Sequence, residues 1–159
     1  MTSRVVSAIR KPSAGDVPVG RRPRPHERGV RIEPRLICQF DVDGEPVPKA
    51  RPRVVIARGA RAFTPKTTVE GEHRVQEYCF VANPRLRPVE GSVGLKVKFY
   101  VGGLGRGDLD NYVKLVSDAL NHVAWHDDAQ VVKLDAEIET FAARPRTEVE
   151  VWLLAVPER

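Results

Sequence analysis

The segment GDLDNYVKLVSDALNHVAWHDDAQ, residues 107 to 130, decides how the rest of the chain is read. From Asp110 to Val123 the apolar residues Val113, Val116, Leu120 and Val123 recur at helical spacing, which predicts an amphipathic helix. A turn follows at Trp125-His126-Asp127-Asp128. The same stretch holds five aspartates, Asp108, Asp110, Asp118, Asp127 and Asp128, around one lysine, Lys114. Carboxylates this dense among apolar residues are costly unless positive charge lies among them. A divalent cation or a basic partner would supply it.

Downstream, residues 131 to 140 alternate as a strand. Val132, Leu134, Ala136 and Ile138 are expected inward, and Lys133, Asp135, Glu137 and Glu139 outward. Thr147 to Val156 alternates again, with Val149, Val151, Leu153 and Ala155 on its apolar face. Upstream, Val93 to Val101 is the clearest strand, with Val93, Leu95, Val97, Phe99 and Val101 inward. The glycine-rich run 102 to 107 after it lacks a P-loop ending and reads as a mobile approach to the acidic stretch. Thr67 and Glu70 have capping-box spacing, so a helix is expected from Thr68 to Ala82 with Val75, Tyr78, Cys79 and Ala82 buried. Asn83-Pro84 ends it, and His73 is expected on its surface. Residues 54 to 56 and 60 to 63 flank Arg58-Gly59 as a small hairpin. Leu36 to Val42 alternates as a half-buried strand. Between them Gly44 to Arg53 carries three prolines, which forbid regular structure and stiffen a loop that holds Lys49, Arg51 and Arg53 close together.

Residues 1 to 35 hold nine Lys/Arg against three Asp/Glu, a net +6, whereas the remainder sums to −1. With five prolines and no periodicity, the segment 1–35 reads as a flexible basic arm before a domain over 36–159. Its Arg21, Arg22, Arg24 and Arg28 are suited to phosphates. Cys38 and Cys79 sit in apolar segments without zinc spacing and read as buried small hydrophobes. No apolar run approaches a membrane span and the start lacks a signal-peptide core, so a cytoplasmic protein with no membrane partner is expected.

Asp108 and Asp110 are two apart where extended chain enters a helix, so their carboxylates share a side. Magnesium takes oxygen ligands and keeps several waters, so a few carboxylates suffice. Asp128 completes the set if its strand pairs beside the one ending near Val101. Lys114 lies one helical turn beyond Asp110, where it can meet a phosphate. Asp118, a further turn on, is expected to pair with Lys114, and Asn111 to support a ligand or a water. Spacing alone also admits Asp110 as a plain helix N-cap, Lys114 and Asp118 as an ordinary surface pair, and Asp127-Asp128 as a turn.

Asp108-Leu109-Asp110-Asn111, Lys114, Asp118-Ala119-Leu120, Trp125 and Asp127-Asp128-Ala129-Gln130 together resemble the signature of the RusA-type Holliday junction resolvases. Gly44 to Arg53 and Thr64-Pro65-Lys66-Thr67 also resemble segments of that family. The resemblance spans about Leu36 to Val156. It implies an α/β (α+β) fold, a small mixed β-sheet packed against about two helices, acting as a homodimer. It implies Mg2+-dependent paired nicking of four-way DNA junctions, with Mn2+ as a substitute, in recombination and repair. By position, Asp108, Asp110 and Asp128 are the implied metal-binding carboxylates and Lys114 the essential lysine. Lys49, Arg51, Arg53, Lys66 and Arg106 are the expected DNA contacts, with Asn111, Asp118 and Asp127 in support. Asp127 competes with Asp128 as the ligand; Asp128 is preferred because it is nearer the strand start. Many members come from phages or prophages. His122 stands where a glycine is expected after Leu-Asn, so the helix must end near Asn121.

Three other readings carry different expectations. One is a nuclease for other branched DNA such as flaps or forks. Another is a non-catalytic DNA-binding protein that keeps the fold, which clustered carboxylates facing phosphates argue against. A calcium-stabilised domain would need an EF-hand loop that the sequence lacks.

Overall fold

The computed structural model describes residues 29–50, 53–55, 61–105 and 107–157. Strand β1 (Gly29–Asp43) leads into the proline-rich loop; β2 (Arg53–Val55) and β3 (Arg61–Phe63) form a two-stranded antiparallel hairpin. The arginines of segment 1–28 and the expected hairpin turn at Arg58-Gly59 lie outside the described residues. Helix α1 (Lys66–Ala82) follows, then β4 (Ser92–Tyr100), α2 (Leu109–Leu120), a 3₁₀ turn (Asp128–Gln130), β5 (Val131–Glu139) and β6 (Arg146–Pro157). The main sheet has the order β1-β6-β4-β5. The β1/β6 and β6/β4 pairs are antiparallel, and β4/β5 is parallel. The mixed sheet with two helices is the architecture expected from the sequence.

One apolar face of the sheet makes the core. Cys38, Phe40 and Val42 of β1, Val93, Leu95, Val97 and Phe99 of β4, and Val149, Val151 and Leu153 of β6 are all buried. Val75 and Cys79 of α1 and Tyr112, Leu115, Val116, Ala119 and Leu120 of α2 pack into the same cluster. The opposite face is polar and laced with ion pairs, such as Lys96 with Glu150 and Lys98 with Glu137 and Glu139.

Four local expectations need correction. The basic arm does not run to residue 35, because β1 already starts at Gly29 and pairs with β6 from Pro157 inward. Pro34 interrupts the ladder, with a register shift between Arg31 and Arg35. An outermost strand tolerates this, since it has only one neighbour to satisfy. The Thr67/Glu70 capping box does not form. Helix α1 begins two residues earlier, at Lys66 behind Pro65, and Glu70 pairs with Lys66 at 3.4 Å. Ala82, expected inside, is exposed at the end of α1. On β5, Val132 and Leu134 are 60% and 54% exposed instead of buried. That strand is the other sheet edge, and a register shift after Val93 aligns Val131, not Val132, with the inward face; Leu134 keeps the expected face beside Leu95 and is exposed where it lines an open groove.

The β4–α2–β5 crossover positions the acidic stretch. Because β5 lies parallel and adjacent to β4, α2 runs back across the sheet between them. The chain then turns at Asn121–Trp125 and delivers Asp127 and Asp128 to the head of β5. The strands pair as the sequence condition for Asp128 required, but in this parallel pair the head of β5 lies beside Val93, at the opposite end of β4 from Val101. His122 has φ 63, the left-handed conformation that a glycine would adopt freely, at the position where glycine was expected. Its N–H donates to Trp125 O at 2.7 Å.

Candidate active site

Helix α2 presents one polar stripe. Asp110, Lys114, Ser117 and Asp118 stand at i, i+4, i+7 and i+8, so they share a face. They line a groove of about 560 Å3 with Leu109 and Val113 of the helix, Asp128 before β5, and Leu134 and Ala136 on β5. The groove is open, with Asp110, Lys114 and Asp128 all exposed. Three of the four residues expected to be catalytic therefore line one surface.

Asp108 is not among the residues that line the groove. It is the exposed N-cap residue of α2, and its side chain makes no capping hydrogen bond. Its backbone carbonyl instead accepts from Asn111 N at 3.0 Å. The helix dipole favours negative charge at this end, so Asp108 and Asp110 are placed where carboxylates are stabilised. The helix thus starts one residue before Asp110, which makes Asp108 the N-cap.

The adjacent aspartates of the turn differ. Asp127 Oδ1 accepts from Ala129 N at 2.7 Å, and Gln130 Oε1 accepts from Asp127 N at 3.0 Å, a reciprocal capping box. Gln130 is buried and also donates to the Val89 and Gly91 carbonyls, both at 2.8 Å. Asp127 is thereby committed to building the turn. Asp128 faces the groove. Its Oδ1 accepts from Trp125 Nε1 at 3.1 Å and from the Ser117 hydroxyl at 3.5 Å. The buried Trp125 ring fixes that carboxylate, and its second oxygen has no hydrogen-bond partner among the described residues.

The carboxylates do not converge. Among the described residues, no three His, Cys, Asp or Glu side chains stand close enough to enclose an ion. Seven residues of helix separate Asp110 from Ser117, about 10 Å along the axis, and Asp128 sits beside Ser117. The donors nonetheless fit magnesium chemically. They are hard oxygen ligands with free lone pairs, and magnesium is commonly held by one or two carboxylates plus waters and substrate phosphate.

The expected partner of Lys114 is taken by another cation. Asp118 pairs with Lys49 of the proline-rich loop, which also holds Glu72 of α1 at 3.2 Å. Lys114 has no ion-pair partner among the described residues. Lys49, expected to contact DNA, is instead engaged inside the protein. The loop is pinned elsewhere too. Lys49 N donates to Asn111 O at 2.9 Å, Ala50 N to Thr68 Oγ1 at 3.2 Å, and Glu45 accepts from Gly102 N at 3.1 Å. That last bond holds the first part of the glycine-rich run, expected as a mobile approach. Lys66 is exposed and, among the described residues, bonded only to Glu70. Arg51 and Arg106 lie outside the described residues, and of Arg53 only the backbone in β2 is described.

Sequence reasoning missed Ser117, the Trp125–Asp128 bond and the Lys49–Glu72–Asp118 cluster. Ser117 follows Asp110 at i+7 and was legible as part of the stripe. The cluster joins three distant segments, and no spacing rule reveals it.

A protein of Bacillus subtilis (strain 168) described as the uncharacterized protein YqaN is 34% identical over 136 residues, covering 71% of this chain and 94% of that relative. The family model described as Endodeoxyribonuclease RusA matches residues 43–152. That span contains the pinned loop, both helices, the whole acidic groove and most of the sheet. The chain belongs to the RusA endodeoxyribonuclease family.

Proposed function

We propose that the chain resolves four-way DNA junctions by metal-assisted hydrolysis of phosphodiester bonds, cutting two strands as a homodimer. The observation that carries this reading is the groove in which Lys114, free of an acidic partner among the described residues, stands between Asp110 and Asp128. Asp108 and Asp110 at the start of α2 and Asp128 at the head of β5 would supply carboxylate oxygens to Mg2+, with Mn2+ as a substitute and with water and substrate phosphate completing its shell. When bound, the ion would lower the pKa of a water and offset charge on the phosphate. Lys114 would hold a non-bridging phosphate oxygen beside the helix stripe. Ser117 and Trp125 would keep the Asp128 carboxylate oriented. Lys66 and the arginines of the loop and arm would engage flanking phosphates and set the register of the duplex.

Two observations support a dimer. A four-way junction has two matched scissile positions, which a two-fold assembly supplies. The edge strand β5 also exposes Val132, apolar surface outside the groove lining that a second copy would cover. A second reading, a DNA-binding protein without cleavage, is favoured by one observation, the lack of a convergent three-carboxylate set among the described residues.

The test uses a synthetic four-way junction and a linear duplex of matched sequence, each with magnesium or with EDTA. Paired symmetric nicks on the junction alone, and only with magnesium, are expected. Tight junction binding with no cutting across a library of central sequences would support the second reading. Cutting of flaps or forks in preference to junctions would reassign the substrate.

A further inference from the structure

Lys49 is tied to both helices at once. Its backbone N–H is bonded to the first turn of α2 through Asn111 O, and its side chain reaches Asp118 on the third turn. Glu72 of α1 closes the cluster from the other side. All three side chains are about three-quarters buried, at 24%, 24% and 25% exposure. An ordinary surface lysine would not be held by two carboxylates and a backbone bond at once.

Asp118 has two cations within reach of its position. One is Lys49. The other is Lys114, one helical turn before it on the same stripe, where an i,i+4 pair would form by default. The structure pairs Asp118 with Lys49. We infer that Lys49 is a positioning residue for the cleavage reaction: by holding Asp118, it keeps Lys114 from being captured and leaves the Lys114 ammonium for phosphate. This rests on the reading of Lys114 as the phosphate-binding lysine. Removing the Lys49 charge would leave Glu72 and Asp118 as neighbouring uncompensated carboxylates. Repulsion would then turn Asp118 toward Lys114, the nearest remaining cation on its own face.

Double variants separate two roles for Lys49. A purely structural lysine predicts that K49M/E72Q, which relieves the same carboxylate repulsion, recovers as well as K49M/D118N. A lysine that sequesters Asp118 predicts recovery only in K49M/D118N, because the neutral amide introduced by D118N cannot capture Lys114. K49R, which keeps a cation between the two carboxylates, should resemble the wild type.

Two readouts distinguish the role of Lys49 from the assignment of the reaction. The first is the acylation rate of Lys114 by an amine-reactive ester, located by peptide mass mapping, which needs no DNA. The second is single-turnover cleavage of a synthetic four-way junction with magnesium. K49M should slow both by roughly two- to five-fold, the span of an exposed ion pair, and K49M/D118N should restore both. K49Q replaces K49M if the latter does not fold. Unchanged Lys114 acylation in the Lys49 variants, K49M/D118N no faster than K49M, or equal recovery in K49M/E72Q would overturn the inference. If the wild type cuts no DNA at all, the reaction assignment fails, and the acylation result alone decides the role of Lys49.

Discussion

Asp127 and Asp128 are neighbours with the same side chain, and the fold uses them differently. Asp127 caps the 3₁₀ turn, so Asp127→Ala should lower stability by about 1 kcal/mol in denaturant unfolding. Gln130 satisfies four backbone groups from the buried side of that turn. Gln130→Ala should cost more, about 2–3 kcal/mol, because it orphans polar groups away from water. His122 is strained in the opposite sense. A histidine at φ 63 forgoes what glycine would supply, so His122→Gly should raise stability by about 0.5–1 kcal/mol, read as a higher Tm. This position was legible through the family resemblance, in which a glycine is expected after Leu-Asn at the end of the helix. The separate tasks of Asp127 and Asp128 were not, because both fit a turn equally well until the Gln130 and Trp125 partners are known.

At the scale of elements, close contacts decide which changes the sheet accepts. Gly91 has φ 102, and a Cβ there would lie 2.0 Å from the Ala155 carbonyl oxygen of β6. Gly91→Ala should therefore destabilise the β4/β6 junction by more than about 2 kcal/mol, measurable as a loss of denaturation midpoint. Between β1 and α1, Cys38 and Cys79 are 2% and 0% exposed. A hydrogen bond with Cys79, together with burial, pushes the Cys38 thiol well above its ordinary ionisation range. Neither thiol should react with an aromatic disulfide reagent at pH 8 until denaturant is added; prompt reaction of the native protein would contradict the packing. Periodicity located β4, β6 and α2 because each presents one clean apolar face, whereas α1 was placed by a capping box that does not form and by the Asn83-Pro84 stop. It misjudged β5, where alternation is equally clean but the strand lies at the sheet edge, and burial depends on neighbours that alternation does not encode. It also stopped β1 short at Pro34, since a local rule against proline inside strands does not know that this strand has a free side.

For the molecule as a whole, charge is divided between a basic leading segment and a near-neutral body with an acidic groove. Because β1 begins at Gly29, the leading segment should be removed at residue 28, leaving the sheet intact. That deletion should weaken junction binding and flatten its dependence on salt if its arginines release counterions from phosphate, and unchanged affinity would exclude them. The acidic groove was legible as residue types at fixed offsets, and so was the family. The Lys49–Asp118 pairing and the separation of Asp110 from Asp128 were not, because they depend on how the loop, α1, α2 and β5 meet. The central claim is that this groove cuts DNA, and the most direct test is Asp110→Asn on a four-way junction, with binding and single-turnover cleavage measured side by side. Junction affinity should stay within about two-fold of wild type while cleavage falls by at least about 100-fold, since a ligand charge is lost at nearly constant volume. Cleavage at the wild-type rate would place the chemistry elsewhere in the molecule.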